Sequence, residues 1–233
     1  PGTPIAYWAS DALRAAFDCG DSLGSLGRTS KGLITGDNDF SLRMWWEGND
    51  SDFDLDCSSI DDASISECHW FPCNKGGIYR KWYGNHDYMI RWVNDGENVF
   101  THARETGHHS QDYDSSLKFK PNISWSDITS GAPSFRYRNH ELSDHKGMPF
   151  FPKTRSLNFY IGLLNSSVVK SLLTFLSPTL SLNIGELERI PVVGLEDCVV
   201  AAVEIISCDC ISVSKSDWDS FETSWDFKRH PLV

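Results

Sequence analysis

The middle of the chain sets its cations beside aromatic rings. Tyr79, Arg80, Lys81, Trp82 and Tyr83 run together, followed by Arg91 and Trp92, by Lys118, Phe119 and Lys120, and by Phe135, Arg136, Tyr137 and Arg138. Guanidinium and ammonium groups suit phosphates, rings suit bases, and the two interleaved suit a nucleic acid. The same alternation describes a strand with one solvated and one buried face, a reading with equal claim from composition alone. The overall balance runs against a polyanion, because 21 Lys and Arg against 32 Asp and Glu leave a net charge of -11, and phosphate binding rests on cations. Its distribution restores the case: residues 1–74 hold 4 basic against 13 acidic residues, 75–160 hold 12 against 9, and 161–233 hold 5 against 10. Only the middle is net basic, and the acidic flanks would serve solubility or hold off non-specific DNA.

Other groupings with chemical potential are weaker. His108-His109 with Asp112 could act as acid and base, but paired histidines in a Gly-, Ser- and Asp-rich loop are more often solvated. Asp217 and Asp219 have the spacing of a carboxylate metal site, against which a helix N-cap beside a packed Trp218 is the stronger reading. Cys68-His69 with Cys73 could open a zinc site, yet Cys208 and Cys210 enclose one residue where zinc hairpins usually enclose two or more. Seven scattered cysteines fit reduced, cytoplasmic thiols. Gly20, Gly24 and Gly27 lack the preceding strand and the Lys-Ser/Thr ending of a phosphate cradle, so a flexible loop is expected. With no nucleophile elbow, phosphate loop or dinucleotide fingerprint intact, the expectation is no catalytic, cofactor-binding or metal-binding residue in this chain.

The elements that would position the basic centre follow from periodicity. At 233 residues and 40% hydrophobic the chain can bury a core without staples. Its longest apolar stretches, 159–164 and 199–206, fall short of the ~20 residues that cross a bilayer, so no membrane is expected; Pro1-Gly2-Thr3-Pro4 reads as a cut without a signal peptide. Residues 4–18 read as a docking helix opened by Pro4 and ended by Gly20. Residues 40–46 read as a short strand, and the acidic, Ser-rich 48–66 as a surface loop. Between 68 and 137, short runs at 69–71, 88–93 and 134–138, separated by turns, predict an irregular β-rich core. Beyond Pro152, Leu157, Tyr160, Ile161, Leu164, Val168, Leu172 and Leu176 predict a helix or helix pair broken near Asn165-Ser166 and stopped at Pro178. Residues 195–211 predict a second helix, with a buried strand as the rival. The fold class is therefore α+β: a helix at 1–20, a β-rich core at 21–155 with a variable loop at 48–66, and a helical part at 156–233 packed on it as one unit.

Several strings go beyond composition. Thr35-Gly36-Asp37-Asn38-Asp39-Phe40, with Arg43 and Trp45 after it, looks like the motif that opens target-recognition domains in adenine-specific DNA methyltransferases and fused restriction-modification enzymes. Trp70-Phe71-Pro72-Cys73-Asn74-Lys75-Gly76-Gly77, Arg80-Lys81-Trp82-Tyr83-Gly84-Asn85, Ile123-Ser124-Trp125-Ser126, Ser130-Gly131, Ser177-Pro178-Thr179-Leu180 and Asp217-Trp218-Asp219-Ser220-Phe221-Glu222-Thr223-Ser224-Trp225 together resemble one family. It is the large adenine-specific DNA methyltransferase of bacterial phage-exclusion systems (BREX, phage growth limitation), the PglX type. The resemblance spans nearly the whole chain, but the family's glycine-rich S-adenosylmethionine loop and Asn-Pro-Pro-Tyr type motif are not in it, and Cys73 stands where an aromatic is expected.

The resemblance implies a specificity fragment, folded as in type IIG and type I methyltransferase specificity domains. It would bind double-stranded DNA while the methyltransferase domain of the same parent chain flips the adenine and holds S-adenosylmethionine. The candidates for DNA contact are Lys75, Arg80 and Lys81 on phosphates or guanine edges, Asn38 and Asn74 as base-reading or turn-forming amides, Arg43 in the opening motif, and Arg136 and Arg138 on a neighbouring strand. Trp82, Tyr83 and Trp125 could stack or wedge, with core packing the commoner fate of a Trp. Thr179, Gly185 and Pro191 read as structural. The alternative is a module that docks other phage-exclusion proteins through its acidic ends and the aromatic segment 218–227, with no DNA affinity of its own; an independent hydrolase built on His108, His109 and Asp112 ranks last.

Overall fold

The computed structural model describes residues 10–113, 115–129, 131–177 and 179–232. Its helices, in chain order, are α1 (Asp11–Cys19), α2 (Leu23–Leu26), α3 (Asn38–Ser41), α4 (Ile60–Ile65), α5 (Glu97–Glu105), α6 (Leu157–Leu164), α7 (Ser167–Leu176), α8 (Ile184–Leu187) and α9 (Asp197–Trp218). The strands are β1 (Asp21–Ser22), β2 (Gly27–Thr29), β3 (Leu33–Ile34), β4 (Leu42–Met44), β5 (Trp70–Asn74), β6 (Tyr88–Arg91), β7 (Gln111–Asp112), β8 (Asn122–Ser126), β9 (Phe135–Arg138), β10 (Leu142–Ser143), β11 (Gly147–Pro152) and β12 (Pro191–Val192). The mixture is α+β, as expected, and three predicted strand runs fall on β5, β6 and β9.

Two four-stranded sheets organise the chain. The first, ordered β2-β11-β8-β9, is antiparallel throughout. Side chains alternate between the faces of a strand, so Ile123, Trp125, Phe135, Met148 and Phe150 share one face, where Phe159, Tyr160 and Ile161 of α6 and Leu172 and Leu173 of α7 complete an apolar core. The opposite face carries Asn122, Ser124, Ser126, Arg136 and Arg138, and it too is buried. The second sheet, ordered β10-β5-β6-β4, pairs β10 with β5 in parallel and the other strands antiparallel. Leu42, Phe71, Cys73, Ile90 and Leu142 line its own core with Trp92, Val99 and Phe119. The sheets meet at Asn74, whose amide donates to Ser124 Oγ and, at 2.9 Å, to the Gly147 carbonyl.

The helical half follows the periodicity. Ser156 and Ser166 accept backbone N–H groups and cap α6 and α7, and the two helices bend by 65° at the predicted break. Residues 195–211 fold as a helix rather than a strand, and α9 runs on to Trp218. Asp217 and Trp218 therefore end a helix and do not begin one, which corrects the N-cap expectation; Asp219 is the C-cap. The α1 helix is capped by Ser10 and closed at Gly20; residues 4–9 of the predicted helix and the Pro178 stop lie outside the described residues. No single helix among the described residues is long and apolar enough to cross a membrane.

A loop and a strand expectation also need correction. Residues 20–27 are not a free loop: β1 pairs with β12, Leu23 is fully buried, and Gly27 lies in β2 where a Cβ would run into the Phe150 ring. Of the strand expected at 40–46 only β4 forms. Asp37 accepts the Phe40 N–H at 3.2 Å and wraps the residues before it into α3, and residues 45–47 close as a 3₁₀ turn. The acidic 48–66 segment is mostly exposed, with Cys57 buried and α4 capped by Ser59.

Candidate nucleic-acid interface

The strand face that carries Arg136 and Arg138 points into the molecule. Both side chains are fully buried. Arg136 donates to the Arg80 carbonyl and the hydroxyls of Ser134 and Ser126; burial and then the neighbouring Arg138 push its pKa down to about 9, which leaves it a cation at neutral pH. Arg138 donates to Glu141 at 3.3 Å and to the Asn85 carbonyl at 3.1 Å. His86 Nδ1 lies 2.6 Å from Glu141 Oε1 and 3.0 Å from Arg138. Burial, the largest influence, lowers the His86 pKa, so the imidazole is neutral and its Nδ1–H is donated to Glu141. Burial alone would raise the Glu141 carboxyl, but the charge of Arg138 and the hydrogen bonds from His86 and Arg138 hold it below the ordinary value. A buried charge needs such partners. Asn74 and Trp125 are equally interior, Trp125 donating its indole N–H to the Leu182 carbonyl at 2.8 Å. Asn74, Arg136 and Arg138 are thus buried where the two sheets meet and Trp125 in the core under α6 and α7, which corrects the expectation that their side chains lie on the surface to contact DNA.

The loop from Lys75 to Asp87 is a tie bar. Trp82, Asn85 and Gly84 all have positive φ, a backbone that lets each successive side chain leave in a different direction. Arg80 pairs with Asp217 at 3.1 Å and stacks over Trp218 at 5.0 Å. Lys81 donates to the Asn165 carbonyl at the end of α6, at 2.8 Å. Trp82 exchanges backbone hydrogen bonds with Phe135 and Tyr137 and packs on the first core. Tyr83 lies against His86 and under Lys215, and burial pushes its phenol up to about 12. Lys75 faces Asp144 at 3.8 Å with its side chain 20% exposed. The string richest in cations and rings thus joins both sheets to α6 and α9.

A different face remains open. In β4 and β6, Leu42, Tyr88 and Ile90 turn to the second core, so Arg43, Met89 and Arg91 turn the other way; Met89 is buried on that side and only its margin, at Arg43 and Arg91, is exposed. Trp70 is the cross-strand partner of Arg91 and shares that face. Arg43 and Arg91 are exposed and Trp70 is half-buried; the Arg43 guanidinium lies 5.9 Å over the Trp70 ring and is steadied by the carbonyls of Asp39 and Leu42. Trp46, just past β4, is 53% exposed. Among the described residues neither guanidinium pairs with a carboxylate, whereas Lys75, Arg80, Lys118, Arg138, Lys146 and Lys215 all do. Two exposed guanidiniums flanking an indole can meet phosphates and stack on a base or sugar. Arg91 and Trp70 were not among the sequence-predicted contacts; the period-two alternation across 88–91 was the signal that could have found them.

The remaining candidates take local roles. Asn38 is exposed and accepts the Thr35 hydroxyl at 2.8 Å, so it shapes the turn into α3. Asp112 lies 2.8 Å from the buried ammonium of Lys118, and His108 Nδ1 lies 2.9 Å from the Thr106 hydroxyl. No cluster of three or more His, Cys, Asp or Glu able to hold a metal occurs among the described residues.

No protein-family model matches the chain. Over its full length it is 36% identical to "Adenine-specific methyltransferase PglX" of Lacticaseibacillus casei (strain Zhang) and 33% identical to "Adenine-specific methyltransferase BrxX" of Escherichia coli O9:H4 (strain HS). The chain spans 19% of the length of the first relative and 18% of the second.

Proposed function

We propose that the chain, similar over its whole length to one segment of the PglX and BrxX adenine-specific methyltransferases, is a segment of such an enzyme and the part that binds duplex DNA and selects the site. Methyl transfer and S-adenosylmethionine binding belong, in this reading, to the part of the parent enzyme outside this chain, and the setting is a cytoplasmic phage-exclusion system. The observation that carries the proposal is the Arg43–Trp70–Arg91 face, an exposed pair of uncompensated guanidiniums around an indole in a chain of net charge -11. In so acidic a molecule, a local pair of free cations is where a polyanion can approach.

The alternative, a module docking other phage-exclusion proteins through its aromatic tail, has less support. That tail is engaged within the chain: Thr223 accepts the Trp45 indole N–H at 3.1 Å, Ser224 is buried, and Trp225 packs against His86.

A salt titration of fluorescent duplex DNA tests the proposal. Affinity should fall log-linearly with salt, and Arg43→Ala with Arg91→Ala should weaken binding by roughly tenfold or more and flatten the salt slope by about one per phosphate lost. Binding unchanged in the double variant sinks this face. Absence of binding by the chain, with none restored in the full-length enzyme, sinks the DNA role.

A further inference from the structure

We infer that the outward face of α9 is a docking seam for a helix in the part of the methyltransferase that lies outside this chain. The inference rests on the reading of the chain as one segment of such an enzyme.

The inward side of α9 is well partnered. Val200, Ser207 and Trp218 are buried, and Val203 and Ile211 pack on the first core. The approach to α6 is close, since a Cβ on Gly162 would meet Val203 Cγ1 at 2.7 Å and strike the Ser207 hydroxyl. The outward side is apolar and bare. Val199 is 42% exposed, Ile205 64%, Ile206 60% and Val213 70%, with Ala201 and Ala202 exposed beside them.

A solvated helix face normally carries charge, and a helix apolar all round is normally covered. Between Val199 and Ser214 the only charged residues are Glu204 and Asp209, and Glu204 accepts the Ser156 hydroxyl at 2.5 Å. Asp209 alone therefore charges the outward face there. Val199, Ala202, Ile206 and Val213 advance by three, four and seven residues, with Asp209 at the step between Ile206 and Val213. That is the spacing of a helix-pairing seam with one polar position, which sets register and partner choice. The occupant is accordingly an amphipathic helix with an apolar stripe and a Lys or Arg opposite Asp209. A second copy in parallel register would instead set Asp209 against Asp209, two like charges within a seam. The chain spans 19% and 18% of its relatives, so most of such an enzyme is available to supply the helix, and soluble surfaces rarely leave a continuous apolar strip of this kind uncovered.

The test is maleimide labelling of Ile206→Cys, read at that position by peptide mass spectrometry, in this chain and in the full-length enzyme that contains it. Labelling should be about tenfold slower or more in the full-length enzyme, because a side chain inside a packed seam reacts only through rare openings. Asp209→Lys should restore fast labelling at position 206 in the full-length enzyme, while leaving the melting temperature of the chain alone unchanged. Equal labelling rates in the two proteins overturn the inference. Protection in the chain alone that fades on dilution overturns it in favour of a second copy. The DNA titration with the Arg43 and Arg91 variants is read separately, so loss of the DNA reading and loss of the seam are distinguishable.

Discussion

Neutralising Glu141 tests whether the strand arginines are structural. Arg138 and Glu141 are both buried, His86 between them is neutral, and Glu141 is the acid within ion-pair reach of Arg138. Glu141→Gln keeps the shape and an accepting oxygen but removes the charge that compensates the guanidinium. Breaking a buried pair from one side costs about 3–5 kcal/mol, and the retained amide oxygen places this change near about 3. For a chain of this size each kcal/mol moves the melting temperature by roughly 2–4 °C, so a fall of about 6–12 °C is expected. Thermal unfolding followed by circular dichroism measures it. Changing Arg138 and Glu141 together to Met should recover most of the loss, since apolar side chains of similar volume need no compensation. A melting temperature within about 1 °C of wild type, or an Arg138→Met variant that loses DNA affinity while keeping its stability, would refute the interior assignment.

Three further outcomes follow from the same geometry. The folded-state pKa values of His86 and Glu141 both lie below their ordinary values of 6.5 and 4.5, so each contributes stability that is complete above the ordinary value and is lost as pH falls through the lowered one; urea midpoints should drop first below pH 6.5 and again below 4.5, with the lower step absent in Glu141→Gln. Gly76→Ala should destabilise by about 1–3 kcal/mol, because residue 76 has φ +78° and a Cβ would sit 2.6 Å from the Lys146 carbonyl oxygen, and urea unfolding reads it. Lys81→Met should cost about 1.5–3 kcal/mol through the lost charged hydrogen bond to the Asn165 carbonyl, with no change in the salt dependence of DNA binding.

Much of the secondary structure could be read from periodicity, because each apolar run had one partner surface. The α6–α7 break fell at Asn165-Ser166, where Ser166 caps the second helix, and three strand runs were placed to within a few residues. The site was less legible for a physical reason. Period-two alternation tells which residues share a face but not whether the second face meets water or another sheet. Arg136 and Arg138 alternate with Phe135 and Tyr137 as a solvated edge would; long-range contacts, from Asn74 to Ser124 and from Arg136 and Arg138 to the Arg80 and Asn85 carbonyls, bury that face. Arg43 and Arg91 carry the same local signature and stay exposed, although Met89 on the same face is buried. The two fates differ in tertiary pairing alone, which no local string contains.

The tie-bar loop links these surfaces mechanically. Lys81 grips the end of α6, Arg80 the end of α9, and Tyr83 lies under Lys215 of α9, while Trp82 adds itself to the edge of the first sheet beside Arg136. The exposed Arg80–Asp217 pair contributes little by itself. The buried Trp218 ring beneath the guanidinium contributes the packing, and it also contacts His86 of the Arg138–Glu141 cluster. A helix seated on the outward seam of α9 would therefore bear, through Trp218 and His86, on the same buried charges that join the sheet carrying Arg43 and Arg91 to its neighbour. Cations that composition offers to DNA thus link α6, α9 and the buried charge cluster, which would couple the proposed docking helix to the proposed DNA face.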